Sequence, residues 1–302
     1  RATQVSEGVA RVRLRYGYSD MGRALVEAGH VTGSREYAVG ADPFKWPTEL
    51  RDAAFAGIGA EMDDKAAYPR IIAAMTGGLG PASATFLEHR EGIMNTFSTY
   101  LFAETRSAGV RRKWMKMITN GYDMDSGVDA WQHHKKLGGN PRRRSLRRKW
   151  MTLPNGERYA LEEYRNEQAR GTAWMNSRAA ATLAFVRRMR APGSAQFAKA
   201  ERTVKSYLLQ EAEAASREAK MAWCVRHGVR VMSQQHDGIL CAPAEGRTWA
   251  ELAEALTGAC RRECGFEVTV EAKVVEDTGR AAELREWVRM VEAAEGEAMQ
   301  VD

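Results

Sequence analysis

Three short segments carry the residue types that could do chemistry. In chain order they are Glu61-Met62-Asp63-Asp64-Lys65-Ala66-Ala67-Tyr68-Pro69-Arg70, then Arg112-Lys113-Trp114-Met115-Lys116-Met117-Ile118-Thr119-Asn120-Gly121-Tyr122, then Gln234-Gln235-His236-Asp237-Gly238-Ile239. The first and third each place an Asp at the end of a strand-like run, and the second sets Arg112 and Lys116 one turn apart on one helix face. Isolated carboxylates at strand ends with a cationic helix between them suit phosphoryl transfer. That chemistry asks for two divalent cations about 4 Å apart, held by carboxylates, together with positive charge for a triphosphate. Mg²⁺ is the expected ion, with Mn²⁺ as an alternative, because it takes a few carboxylates and completes its shell with water and phosphate oxygens.

Each segment has a plainer reading. The acidic turn at Asp63-Asp64 could cap a helix, basic pairs at i,i+4 are common, and His236-Asp237 could be an ordinary polar hairpin tip. Their order and strand-turn contexts agree with one another, and that agreement carries the functional expectation.

The elements that must position them follow from the pattern. Val9-Ala10-Arg11-Val12-Arg13-Leu14-Arg15-Tyr16 alternates like a strand, and Gly77-Gly78-Leu79-Gly80-Pro81 is a break without the Gly-Lys-Ser/Thr of a phosphate loop. Residues 82–118 read as helices ending at Asn120-Gly121. Pro154-Asn155-Gly156, set between Lys149–Leu153 and Glu157–Leu161, predicts a hairpin in a basic region. A long helix is expected over 195–227, followed by a strand, the His236-Asp237-Gly238 turn, a second strand, a helix near 247–263, a strand over 266–275 and a closing helix. The fold class is α+β.

The first segment resembles the first palm motif of family B DNA polymerases, with Ala66-Ala67 where that family has Ser-Leu. The resemblance implies that Asp63 binds metal, with Asp64 the alternative, and that Tyr68 packs under the nucleotide sugar. The second resembles the Arg-x3-Lys finger helix of family A through Arg112 and Lys116, and the Lys-x3-Asn pattern of family B through Lys116 and Asn120. The third resembles the family A Gln-x-His-Asp-Glu motif, with Gly238 in place of Glu. By that likeness Asp237 is the second metal ligand, Gln234 and His236 lie near the primer terminus, and Gln210 faces the primer-template.

Together these imply a polymerase palm with an antiparallel sheet carrying Asp63 and Asp237 on neighbouring strands, and a helical, finger-like insertion. The expected division is an N-terminal segment 1–55, first palm motif 56–81, insertion 82–199 and second palm half 200–302. The chain opens on Arg1 rather than Met, which reads as a fragment or trimmed chain, and no carboxylate set for a separate exonuclease is seen.

Bulk properties agree. The 302 residues carry a net charge of +6, and the apolar and charged fractions of 44% and 28% are those of a globular protein. Arg142, Arg143, Arg144, Arg147, Arg148 and Lys149 form one basic run, Arg187, Arg188 and Arg190 another, and both suit phosphate contacts with a primer-template. No apolar run reaches the roughly 18 residues that span a bilayer, so no membrane partner is expected. Cys224, Cys241, Cys260 and Cys264 contain no CxxC pair, and buried free thiols in a reducing intracellular compartment are the expected reading. The adjacent His133-His134 reads as loop, and the tryptophans read as core rather than base-stacking platforms. The competing functions are a metal-dependent nuclease and a non-enzymatic basic nucleic-acid-binding protein. The latter predicts that Asp63 and Asp237 lie far apart.

Overall fold

The computed structural model describes residues 2–5, 9–12, 15–39, 56–78, 80–124, 148–149, 151–152, 155–234, 237–274 and 286. The chain divides into two compact units, residues 1–65 with 210–302, and residues 66–209.

The first unit is built on a four-stranded antiparallel sheet of order β6-β7-β5-β8, with β5 Ala60–Asp64, β6 Val231–Gln234, β7 Ile239–Cys241 and β8 Val270–Val274. Alternation along β5 and β8 makes the sheet two-faced, since successive side chains of a strand point to opposite sides. Ala60, Met62 and Asp64 are buried, and Val270 lies opposite Asp64 on the same side. Glu61, Asp63, Glu271 and Lys273 occupy the other side, where Asp63 is paired in register with Glu271, and Glu61 with Lys273. Beneath the apolar side lie the part of α7 (Ala200–Arg226) from Gln210 onward and α8 (Trp249–Cys264), and the core unites Met62, Trp223, Cys224, Ile239, Leu252, Leu256 and Cys260. Helix α8 starts at a capping box, in which Thr248 and Glu251 satisfy each other's backbone N–H groups, and ends at Gly265 with φ 70°.

Two smaller antiparallel pairs complete this unit: β1 (Ala2–Val5) with β2 (Val9–Val12), and β3 (Arg15–Tyr18) with β4 (Glu36–Val39). The strand expected over 9–16 is thus two strands in two different pairs. Between β3 and β4 runs α1 (Asp20–Glu27), capped by Ser19.

The second unit is helical: α2 (Ala67–Thr76), α3 (Pro81–Leu101), α4 (Ala108–Asp123), α5 (Asn155–Arg178) and α6 (Ala180–Arg188). Gly77, with φ 87°, closes α2 and Pro81 opens α3, as the Gly-Pro break requires. Ala66, which precedes α2, holds φ 52°, and it is the one non-glycine with positive φ among the described residues. Phe86, Phe97, Leu101, Met115, Ile118, Tyr122, Leu161 and Tyr164 form the core of this unit.

Two expectations are corrected here. Asn155-Gly156 does not turn a hairpin but opens helix α5. Asn favours a helix N-terminus as readily as a turn, and the buried set Leu161, Tyr164, Gln168, Thr172 and Met175 recurs at the helical period. The five residues that looked strand-like were too short a window to reveal that period. Helix α4 also runs past Asn120-Gly121 to Asp123, because Tyr122 and Asp123 are buried and Tyr164 Oη donates a short hydrogen bond to Asp123 Oδ1.

The closing helix after 275, His133-His134 and most of the first arginine run lie outside the described residues.

Candidate active site

Strand β5 delivers two adjacent aspartates to opposite faces of the sheet, and the structure gives them different partners. Asp64, on the core side, has its Oδ1 2.5 Å from Lys220 Nζ and accepts from Ser216 Oγ at 2.6 Å. Burial pushes its carboxyl above the ordinary carboxylate value, even against the opposing charge of Lys220. Asp63, on the other face, is half-buried and paired through Oδ2 with Lys273 Nζ. Its Oδ1 faces Gly238, where a Cβ would come within 3.2 Å of that oxygen and of the Met62 carbonyl. The hairpin tip therefore sits against Asp63, and a side chain at position 238 would compete for the space that the carboxylate uses.

Asp237 precedes Gly238 at this tip, on the turn into β7, the strand next to β5. A shift in register between Val231 and Ser233 bends β6 as it approaches the turn. Lys220 Nζ donates a short hydrogen bond to the Asp237 carbonyl, so one buried ammonium ties the hairpin tip to β5. The Asp237 carboxyl is pushed up to about 8, first by burial and then by the negative charges of Asp63, Glu213 and Asp64, with Lys220 opposing. Such mutual repulsion is what a bound cation relieves, and the donor set, all carboxylate oxygen, fits Mg²⁺ or Mn²⁺. Among the described residues no group of three or more His, Cys, Asp or Glu is arranged to hold an ion by itself. Two carboxylates such as Asp63 and Asp237 could hold such an ion only with further oxygen ligands from outside the protein.

These shifts give the metal-free protein a defined pH dependence. The Asp237 carboxyl has a folded value of about 8 against an ordinary value of 3.8. Between those limits the folded state holds a proton that the unfolded chain has released, so its contribution to stability is full at low pH and is lost as pH rises. Thermal melts in EDTA should show lower stability at pH 8 than at pH 5, and Asp237→Asn should flatten that slope. An unchanged slope in the variant would show that Asp237 is not the titrating group.

A network of polar side chains supports this cluster. Glu213, on α7, receives Arg35 Nε and Nη2, each at 2.9 Å. Glu36 accepts from Arg217 Nη2 at 3.3 Å and from Gln234 Nε2 at 3.0 Å, and Tyr16 Oη lies 3.1 Å from Ser233 Oγ. Gln210, only 8% exposed, accepts through Oε1 from Ser34 Oγ at 3.0 Å and from the Arg35 backbone N–H at 3.3 Å. Gln234 and Gln210 thus both make contacts that order β4 and the turn before it.

Sequence reasoning missed Lys220, Glu213, Ser216, Arg217 and Lys273. A signal was present, since positions 213, 216, 217 and 220 share one helix face and all four are buried. In a helix rich in Ala, Glu and Lys that polar stripe looks like solvated surface. Lys273 alternates with Val270, Ala272 and Val274 as an outward residue would, and only β5 beside it reveals Asp63 as its partner. Burial pulls its ammonium down, but the charge of Asp63 and then of Glu271 more than offsets this, leaving Lys273 above its ordinary value.

The second unit holds Tyr68, Arg112, Lys116 and Asn120. Arg112, Lys116 and Asn120 form an exposed stripe on α4, opposite the buried Met115, Ile118 and Tyr122. Arg112 is engaged by Glu91 of α3, with Nη2 2.8 Å from Oε1. Tyr68 lies half-buried in the first turn of α2. Of the basic run, Arg148 is exposed, while Arg142, Arg143, Arg144 and Arg147 are outside the described residues, as is His236. Trp114 packs into the core edge-on to Phe102, at 5.0 Å between centroids, whereas Trp174 is partly exposed with Arg178 5.4 Å over its ring. The four cysteines are free thiols, three of them buried, and burial raises the Cys224 thiol to about 11. Among the described residues no helix is long and apolar enough to cross a membrane.

No protein-family model matches the chain, and no curated protein matches it. Among solved structures, it is similar to the POL domain of Pol1 from M. smegmatis, determined in complex with DNA primer-template and dNTP, at a TM-score of 0.53 and 14% sequence identity. The likeness covers 89% of this chain and 48% of the other, so the chain spans about half the length of that structure. The chain has an α+β fold of polymerase type, an antiparallel palm-like sheet with a helical insertion.

Proposed function

We propose that this chain is a template-directed nucleotidyltransferase, a DNA polymerase that extends a primer 3′ end with nucleoside triphosphates. One observation carries the reading: on a palm-like sheet, Asp63 and Asp237 come from distant parts of the sequence into one crowded group of carboxylates. Two bound Mg²⁺ ions would supply Lewis-acid activation of the attacking hydroxyl and charge neutralisation at the phosphates. Asp63 and Asp237 would hold them, while Lys220 fixes the hairpin tip that presents Asp237. Arg112 and Lys116 provide the cationic helix that neutralises the triphosphate, with Asn120 on the same stripe. Tyr68 packs against the sugar. Gln234, His236 and Gln210 belong to the primer-template side, with Arg142, Arg143, Arg144, Arg147 and Arg148 on the nucleic-acid backbone. Free thiols suit a reducing compartment.

The test is extension of a labelled primer on a template with Mg²⁺ and four dNTPs. Stepwise extension that EDTA abolishes is the expected result. Shortening of the primer instead would identify a nuclease, and duplex binding with neither reaction would identify a binding protein.

A further inference from the structure

Two lysines meet the carboxylates of this site, and they differ in freedom. Lys220 has a side-chain exposure of 0%, and its ammonium is shared between Asp64 and the Asp237 carbonyl, so it cannot leave without opening the core. Lys273 is 40% exposed on β8, an edge strand of the sheet among the described residues. Its ammonium reaches diagonally across the pair to Asp63 Oδ2 and lies 3.4 Å from Glu271 Oε1. Glu271 stands directly opposite Asp63 in register, two residues before Lys273 on the same face. A second carboxylate is therefore within reach of Lys273 by side-chain rotation alone.

A lysine on Asp63 and a divalent cation on Asp63 exclude each other. The ammonium takes lone pairs that the ion needs, and like charges at contact distance repel. We infer that Lys273 is an exchangeable counter-ion of the metal site, neutralising Asp63 when no ion is bound and passing to Glu271 when one binds. The ammonium keeps its proton throughout and no bond is made or broken. The inference rests on the reading of Asp63 and Asp237 as metal ligands. Its consequence is regulatory: the ion that enters at Asp63 must displace Lys273, so the site fills at a higher concentration of divalent metal than bare carboxylates would require.

The experiment is titration of the protein with Mn²⁺ without nucleic acid, following free Mn²⁺ by electron paramagnetic resonance, on wild type, Lys273→Met, Lys273→Arg and Asp237→Asn. Lys273→Met should bind Mn²⁺ about 2- to 5-fold more tightly than wild type, the range that a partly exposed ion pair is worth. Lys273→Arg, which keeps the charge, should stay close to wild type. In parallel, acetylation of Lys273 by an amine-reactive reagent, read by mass spectrometry, should accelerate when Mn²⁺ is added to wild type. Unchanged or weaker binding by Lys273→Met, with binding lost in Asp237→Asn, would overturn the exchange and leave the metal site standing. Absence of Mn²⁺ binding by wild type would overturn both.

Discussion

Asp237→Asn is expected to lower primer extension by on the order of 10³-fold while raising the melting temperature of the metal-free protein. On the proposed reading, the loss follows from removing a carboxylate that would hold the ion neutralising charge at the reacting phosphate, and losses of this size accompany removal of a primary electrostatic element. The gain follows from the same geometry. Asp237 is held at a site where burial and three neighbouring carboxyls oppose its charge, so its folded value is about 8. An amide of nearly the same shape carries none of that penalty. At pH 8 in EDTA the variant should melt about 2–4 °C above wild type, a modest free-energy change for a chain of this size. Stability given up for a functional constellation is a general feature of active sites. The two measurements check each other. A variant that keeps more than about a tenth of the activity removes Asp237 from the reaction, and one that loses activity by unfolding shows a lower melting temperature, not a higher one.

The second large effect is expected at a residue that never meets substrate. Lys220→Met should destabilise the unit that holds the sheet by about 3–5 kcal/mol, because it strands a buried carboxylate. Asp64 would lose the ammonium 2.5 Å away and keep only Ser216 Oγ at 2.6 Å, and the Asp237 carbonyl would lose its donor. Adding Asp64→Asn removes the stranded charge, so the double variant should recover more than half of the loss. Urea unfolding of wild type, both singles and the double gives the coupling directly. Additive effects, with no recovery in the double variant, would show that the two side chains do not share one buried interaction.

The local chemistry was legible because each motif is short. Asp63 is next to last in a strand whose alternation is visible in five residues, Asp237 sits on a turn between two apolar runs, and Arg112, Lys116 and Asn120 share a face by helix geometry alone. The helices over 81–123 and 200–264 declare themselves by period, and their ends lie within a few residues of the expected bounds. The failure at Asn155-Gly156 has the opposite cause. A two-residue turn signal was read without the helical stripe that starts six residues later, and burial of Leu161 and Tyr164 decided the outcome.

By itself, then, the amino-acid sequence determined the α+β character, the strand-end aspartates and the exposed cationic helix, since these depend on contacts a few residues apart. Only the tertiary structure decided which aspartate of the Asp63-Asp64 pair faces the core and which faces Gly238. It also decided that Glu213, Ser216, Arg217 and Lys220 form a buried polar stripe rather than a solvated one, and that Lys273 answers Asp63 from 210 positions away. Such assignments depend on strand order and register. Sequence periodicity shows which residues share a face, but packing determines whether that face meets water, a core or another charge.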